Sequence, residues 1–260
     1  MARSTRGLPR PVGGDESLAS SGSSLGLIAN GSAPRREGVR GRLDMSVRMI
    51  LSSPPSTTEM RLLGPVAAAA VSEAIRKDTG VISWLHWPNL VSIDGRIVGK
   101  TSMSSFPLPA VRGEKGQKRA VVIELSVNCF CALSRRPSSK EPPPTSLLNV
   151  LGVEVDIALL RERILESITW YCAEWERGVY GKLVQRMEPT ISWMGRDVVV
   201  KTTSGVLLKG RASALAKDGS LLLVQEKPKG KATLKVSPEV VDLVVEPPLT
   251  KSTPRKNTLL

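Results

Sequence analysis

Aromatic residues are scarce: five Trp, two Tyr and two Phe, 3% of the 260 residues. An interior of this chain must therefore rest on Leu, Val, Ile and Ala. There is one histidine, His86, and three cysteines, Cys129, Cys131 and Cys172. No two of those thiols stand in Cys-x-x-Cys spacing, which removes the usual zinc and dithiol readings. Three thiols in apolar stretches read as buried free cysteines of a reducing compartment. No apolar run reaches the roughly 18 residues a membrane span needs, and the first residues lack the apolar core of a signal peptide. A soluble, cytoplasmic protein is the expectation. Phosphate-loop, dinucleotide and Ser/His/Asp patterns are missing as well. His86 abuts Trp87 and reads as a packing residue.

What is abundant is positive charge, a formal +13. Such a balance suits a polyanion, a phosphate-bearing ligand or an acidic protein partner. The basic residues are spread over Arg35–Arg42, Arg112–Arg119, Lys227–Lys235 and Lys251–Lys256. They form no dense stripe interleaved with aromatics, so nucleic acid is not the favoured partner.

Periodicity supplies the elements. Leu43, Met45, Val47 and Met49 alternate as in a half-buried strand. Leu63, Val66, Ala67, Ala70, Val71, Ala74 and Ile75 stripe a helix over Met60–Asp78, stopped at Gly80. Val81–Leu85 and Leu90–Val98 read as strands, with a turn at Asp94-Gly95, and Ser102–Gly116 as irregular. Ala120–Leu133 is a central strand, and Ser134–Thr145 a proline-rich loop. Asp156 caps a helix running to about Arg177. After Trp193 come five short strand candidates in about fifty residues, the texture of a small barrel. The expected division is a flexible segment 1–24, a large domain 25–194, a small one 195–246 and a basic tail 247–260.

Trp87-Pro88-Asn89 followed by Ile93-Asp94-Gly95-Arg96-Ile97-Val98-Gly99 resembles a segment of the biotin–protein ligases, Trp-Pro-Asn-Asp, a short strand, then Gly-Lys-Lys and an apolar pair before Gly. The preceding helix, Thr145-Ser146-Leu147 with Gly152, and the closing stretch Gly205–Val245 are similar to that family in the same order. The resemblance implies an α+β chain: a mixed-sheet catalytic domain of the biotin/lipoate ligase type followed by an SH3-like barrel, a divergent member without an amino-terminal DNA-binding domain. It implies ATP, biotin and Mg²⁺, biotinyl-adenylate formation, and transfer to a lysine of a biotin carboxyl carrier protein. A second copy of the chain is a further partner it leaves open. As site residues it implies Arg96 as the cationic contact in the chemistry, with Arg36, Gly38, Arg40, Ser46, Trp87, Pro88, Asn89, Gly99 and Asn128 binding biotin or its adenylate.

The match has departures. Of the family's Gly-Arg-Gly-Arg-x-Gly-Arg loop only Arg36 and Gly38 line up, with Arg40 as a displaced last arginine. The loop's first two glycines are gone, and Pro34 removes a backbone donor. The Asp after Asn89 is missing, and Arg96 replaces a lysine, a change in reach and shape. Asp44 replaces an aromatic residue, Lys100-Thr101-Ser102 replaces apolar residues, and Glu124-Leu125-Ser126 replaces Gly-x-Gly. These leave as alternatives a catalytically impaired relative that only binds a ligand or partner, and a lipoate ligase. Outside the family stands a basic nucleic-acid-binding protein.

Overall fold

The computed structural model describes residues 28–30 by backbone, and 41–51, 55–109, 118–130, 142–228 and 230–245. The expectations for 1–24, for Arg36, Gly38 and Arg40, for 131–141 with Cys131, and for 247–260 lie outside the described residues.

Period-two alternation builds the first sheet. β1 (Ile28–Asn30) pairs with β2 (Arg42–Leu51), and β2 with β6 (Arg119–Asn128). β6 pairs with β5 (Arg96–Pro107), β5 with β4 (Leu90–Ile93), and β4 with β3 (Trp84–His86). Alternate residues Leu43, Met45, Val47 and Met49 of β2 and Val121, Ile123, Leu125 and Val127 of β6 are buried on one face.

The sheet was expected to be mixed, but all its strand pairs are antiparallel. For β4 and β5 a tight connection leaves little choice. Asp94 and Gly95 both take positive φ, 49° and 71°, the two-residue turn that folds β4 directly back into β5. The one parallel contact among the described residues is a bridge between Ile97 and Pro144. β5 also runs through Ser102–Pro107, which had read as irregular, because ladder bonds to β6 hold that polar stretch.

α1 (Thr57–Thr79) covers the buried face. Ser56 caps it, its Oγ accepting from the Glu59 amide while the Glu59 carboxylate accepts from the Ser56 amide, and Gly80 closes it at φ 72°. Leu62, Leu63, Val66, Ala67–Ala70, Val71, Ala74 and Ile75 are essentially without solvent exposure. The run of alanines lets α3 (Ile157–Glu176) approach from the other side. α2 (Leu147–Leu151) and α4 (Tyr180–Met187) complete the layer. Cys129 and Cys172 are buried. Among the described residues no helix is long and apolar enough to cross a membrane.

Five strands make a second antiparallel sheet: β7 (Asp197–Thr202), β8 (Leu207–Leu215), β9 (Leu221–Lys227), β10 (Gly230–Val236) and β11 (Val241–Val245), in the order β10-β9-β8-β7-β11. The chain passes from one edge strand to the other between Val236 and Val241. Four strand spacings span ~19 Å, whereas five extended residues reach ~17 Å, and a 3₁₀ turn at Pro238–Val240 shortens that further. The sheet is therefore curled.

It sits against the first unit through specific contacts. The Trp87 indole N–H donates to the Gly219 carbonyl at 3.0 Å, His86 Nε2 bonds the Val244 carbonyl at 2.9 Å, and Arg61 pairs with Glu239 at 2.9 Å. Gly219 has φ +77°, and a Cβ there would lie 3.1 Å from Leu62 Cα. Gly219→Ala is expected to lower unfolding free energy by about 1–3 kcal/mol in denaturant titrations, through backbone strain and overpacking together. An unchanged midpoint would mean the two units are not pressed together at this turn.

Between α1, α3 and α4 lies one nearly buried carboxylate. Glu73 accepts from Tyr171 Oη at 3.0 Å and from Arg186 Nη2 at 2.6 Å, and pairs with Lys77 at 2.7 Å. Burial alone would raise its pKa, but hydrogen bonds from Arg186, Lys77 and Tyr171 bring it down to about 2. A depressed carboxylate stabilises the fold fully above its unfolded value, here 4.5, and loses that contribution as pH falls toward about 2. Arg186→Ala is expected to cost about 2 kcal/mol at neutral pH. The gap between variant and parent should narrow in unfolding curves taken from pH 4.5 downward.

Candidate functional site

The outer face of the first sheet is concave. A cavity of about 460 Å³ opens there, lined by Arg42, Asp44, Met45 and Ser46 of β2, Lys100, Thr101 and Ser102 of β5, and Glu124, Leu125 and Ser126 of β6. Register explains its shape. Asp44 and Lys100 flank Ser126 in one row across the three strands; Ser46 and Ser102 flank Glu124 in the next. Small hydroxyl side chains thus alternate with long charged ones, which leaves a hollow between them. Arg42 pairs with Asp44 at 2.9 Å, and Ser102 Oγ donates to Glu124 at 3.3 Å. Among the described residues Lys100 makes no ion pair.

A second cavity, about 250 Å³, adjoins the first and shares Thr101 and Ser102 with it. Met60, Gly64 and Pro65 of α1, Pro88, Asn89, Met103 and Pro238 give it a mainly apolar wall, with Arg61 and Glu239 at its rim. The Trp87-Pro88 peptide is cis. The Asn89 carbonyl accepts from both the amide and the hydroxyl of Thr101, at 2.8 and 3.3 Å, which ties the turn to β5.

The residues singled out from sequence scatter across these places. Ser46 lines the larger cavity; Pro88 and Asn89 line the smaller. Trp87 lines neither: it is fully buried and hydrogen-bonded to Gly219. Gly99 is buried and lines neither cavity. A Cβ there would meet the Ser126 carbonyl at 3.1 Å and the Val127 and Val91 side chains at 3.6 Å, so its smallness serves the close packing of β5 on its neighbours. Asn128 donates to the Thr145 carbonyl at 3.1 Å, fastening β6 to the segment before α2.

Arg96 is exposed at the hairpin, outside both cavities. Val91 pairs with Gly99 but Ser92 with Ile97, so Val98 is an extra residue that breaks the register between Arg96 and the cavity. Arg96 is also four residues, ~13 Å, along the strand from Lys100. Lys100, Glu124, Ser126 and Asp44 were read only as departures from a motif, and Arg42 only as the end of a basic run. The signal that unites them is their period-two spacing on three strands, legible only once the pairing is known.

This fold is that of the biotin protein ligases. The ligase of Aquifex aeolicus superposes with a TM-score of 0.61 at 15% identity, over 78% of this chain and 82% of that one. A point mutant of the same enzyme in complex with biotin gives 0.60 at 16%, over 80% and 79%. A biotin protein ligase-like protein of unknown function from a Silicibacter species gives 0.59 at 15%, over 84% and 85%. No family model and no curated protein sequence matches the chain.

If Gly99 is structural and the cavity charges are not, stability measurements separate them. Gly99→Ala should cost about 1–3 kcal/mol by overpacking. Lys100→Ala, Glu124→Ala and Arg96→Ala should each stay within about 0.5 kcal/mol of the parent in the same chemical denaturation, as exposed substitutions do.

Proposed function

We propose that this chain is a ligase-type protein that activates a small carboxylate with ATP and passes the acyl group to an amine. The observation that carries the reading is the larger cavity, a polar hollow on the open face of the sheet with cations and carboxylates side by side, suited to holding a carboxylate beside nucleotide phosphates. One solved relative by fold, the Aquifex aeolicus enzyme, is known in complex with biotin and ATP. Residues 25–194 are read as the catalytic domain and 195–246 as an SH3-like barrel, which the curled second sheet supports.

In such a reaction a carboxylate oxygen attacks the α-phosphorus, the bond to pyrophosphate breaks, and the acyl-adenylate forms. An amine, in the biotin ligases a lysine of the carrier protein, then attacks the acyl carbon and AMP leaves. The protein's part is to hold the reactants close and to meet developing negative charge with fixed cations. Lys100 and Arg42 are the cations in the larger cavity. Among the described residues no cage of carboxylate, imidazole or thiol groups is present. A Mg²⁺ arriving on nucleotide phosphates asks for only one or two carboxylates, which the cavity has.

Biotin is the carboxylate the resemblance implies, yet the cavity's charges are a poor match for its uncharged ring system. Four ionisable side chains would lose water against it without gaining partners. A carboxylate more polar than biotin fits this lining better. Binding without turnover is the second reading, favoured by the separation of Arg96 from the cavity.

The test is ATP–pyrophosphate exchange by the purified chain with Mg²⁺ and a set of small carboxylates that includes biotin and lipoate. Exchange is expected with a carboxylate more polar than either. Lys100→Ala should reduce it at least about a hundredfold, and Arg96→Ala should leave it within about twofold. Absence of exchange with every carboxylate would remove the ligase reading. Loss of exchange in Arg96→Ala alone would return the cationic role to the hairpin.

A further inference from the structure

We infer that the larger cavity binds a small zwitterion of the α-amino acid class, its carboxylate toward Lys100 and its ammonium toward Glu124. The inference rests on the reading of this cavity as the carboxylate site and names what that carboxylate carries. Lys100 and Glu124 stand on neighbouring strands as diagonal partners, since Lys100 is opposite Ser126 and Glu124 opposite Ser102. Diagonal positions are about 7–8 Å apart, and both charges border the same hollow.

A sheet face that merely needed solvation would gain most by placing opposite charges directly across from each other. Here each charge instead has a serine as its direct neighbour: Asp44 and Lys100 flank Ser126, and Glu124 lies between Ser46 and Ser102. Arg42 and Asp44 already neutralise each other. That leaves one cation with no ion pair among the described residues, one carboxylate whose only bond in that set is from the Ser102 hydroxyl, and serine hydroxyls beneath them. A ligand with one charge of each sign satisfies both groups. An anion alone would be repelled by Glu124, and a cation alone by Lys100. A zwitterion leaves neither charge desolvated and unpaired, the cost that would exclude the wrong ligands.

The experiment screens the twenty standard L-amino acids and biotin against the full chain by saturation-transfer NMR. Calorimetry then compares the best amino acid with the amine lacking its carboxylate and the acid lacking its amino group. At least one amino acid should bind, with both truncated analogues at least tenfold weaker. Lys100→Gln and Glu124→Gln should each weaken it at least tenfold while melting as the parent does. The inference is overturned if no amino acid binds, if a truncated analogue binds as well, or if neither substitution matters. ATP–pyrophosphate exchange with the same compounds separates this from the ligase reading. Amino acid binding without exchange removes the ligase reading and keeps the zwitterion. Exchange with biotin and no amino acid does the reverse.

Discussion

β6 is held by ladder bonds along both of its edges, and the register of those two ladders decides nearly everything else. Met45 opposite Leu125 and Leu125 opposite Thr101 put Leu43, Met45, Val47 and Met49 in line with Val121, Ile123, Leu125 and Val127 against α1. The same register puts Arg42, Asp44, Ser46, Lys100, Ser102, Glu124 and Ser126 on the opposite face. A slip of one residue would turn charges into the core and Val and Ile into water. Burial of the apolar face is therefore what fixes the arrangement of the polar one. Core and cavity are two sides of one constraint.

Much of this was legible in the sequence, because burial leaves periodic marks. The alternation Leu43, Met45, Val47, Met49 and the stripe from Leu63 to Ile75 identified β2 and α1 within a few residues of their ends. The capping residue Asp156 and the turn signal Asp94-Gly95 also fell where the chain caps or turns. What escaped was held by partners rather than by local pattern. Ser102–Pro107 has the composition of a loop and is a strand only because β6 pairs with it. α4 is short, and its buried Leu183, Val184 and Met187 are too few to reveal a period.

The candidate site was legible as residues but not as a place. Arg96 and Lys100 are close in sequence and carry the same charge. Which one faces the cavity depends on the extra residue at Val98, a feature no composition reveals. Asp44, Lys100 and Glu124 each looked like a separate loss from a motif. Pairing of three strands converts those separate changes into one coherent replacement, because positions of equal parity on adjacent strands share a face.

The Trp-Pro-Asn turn shows how a motif can keep its position while its parts divide their work. Trp87 turns inward, and its indole N–H reaches the Gly219 carbonyl of the second sheet. Next to it His86 meets the Val244 carbonyl at the far strand of the same sheet. Two residues on, the Asn89 carbonyl holds Thr101, which borders both cavities. Pro238 and Glu239, between β10 and β11, line the smaller cavity from the other side. The second sheet therefore does more than follow the first in sequence. By gripping Trp87 and His86 it sets where Asn89 can lie, and by supplying Pro238 and Glu239 it completes the compartment that Asn89 borders. A change in how that sheet docks would reach the shared wall at Thr101 and Ser102 through a single short turn.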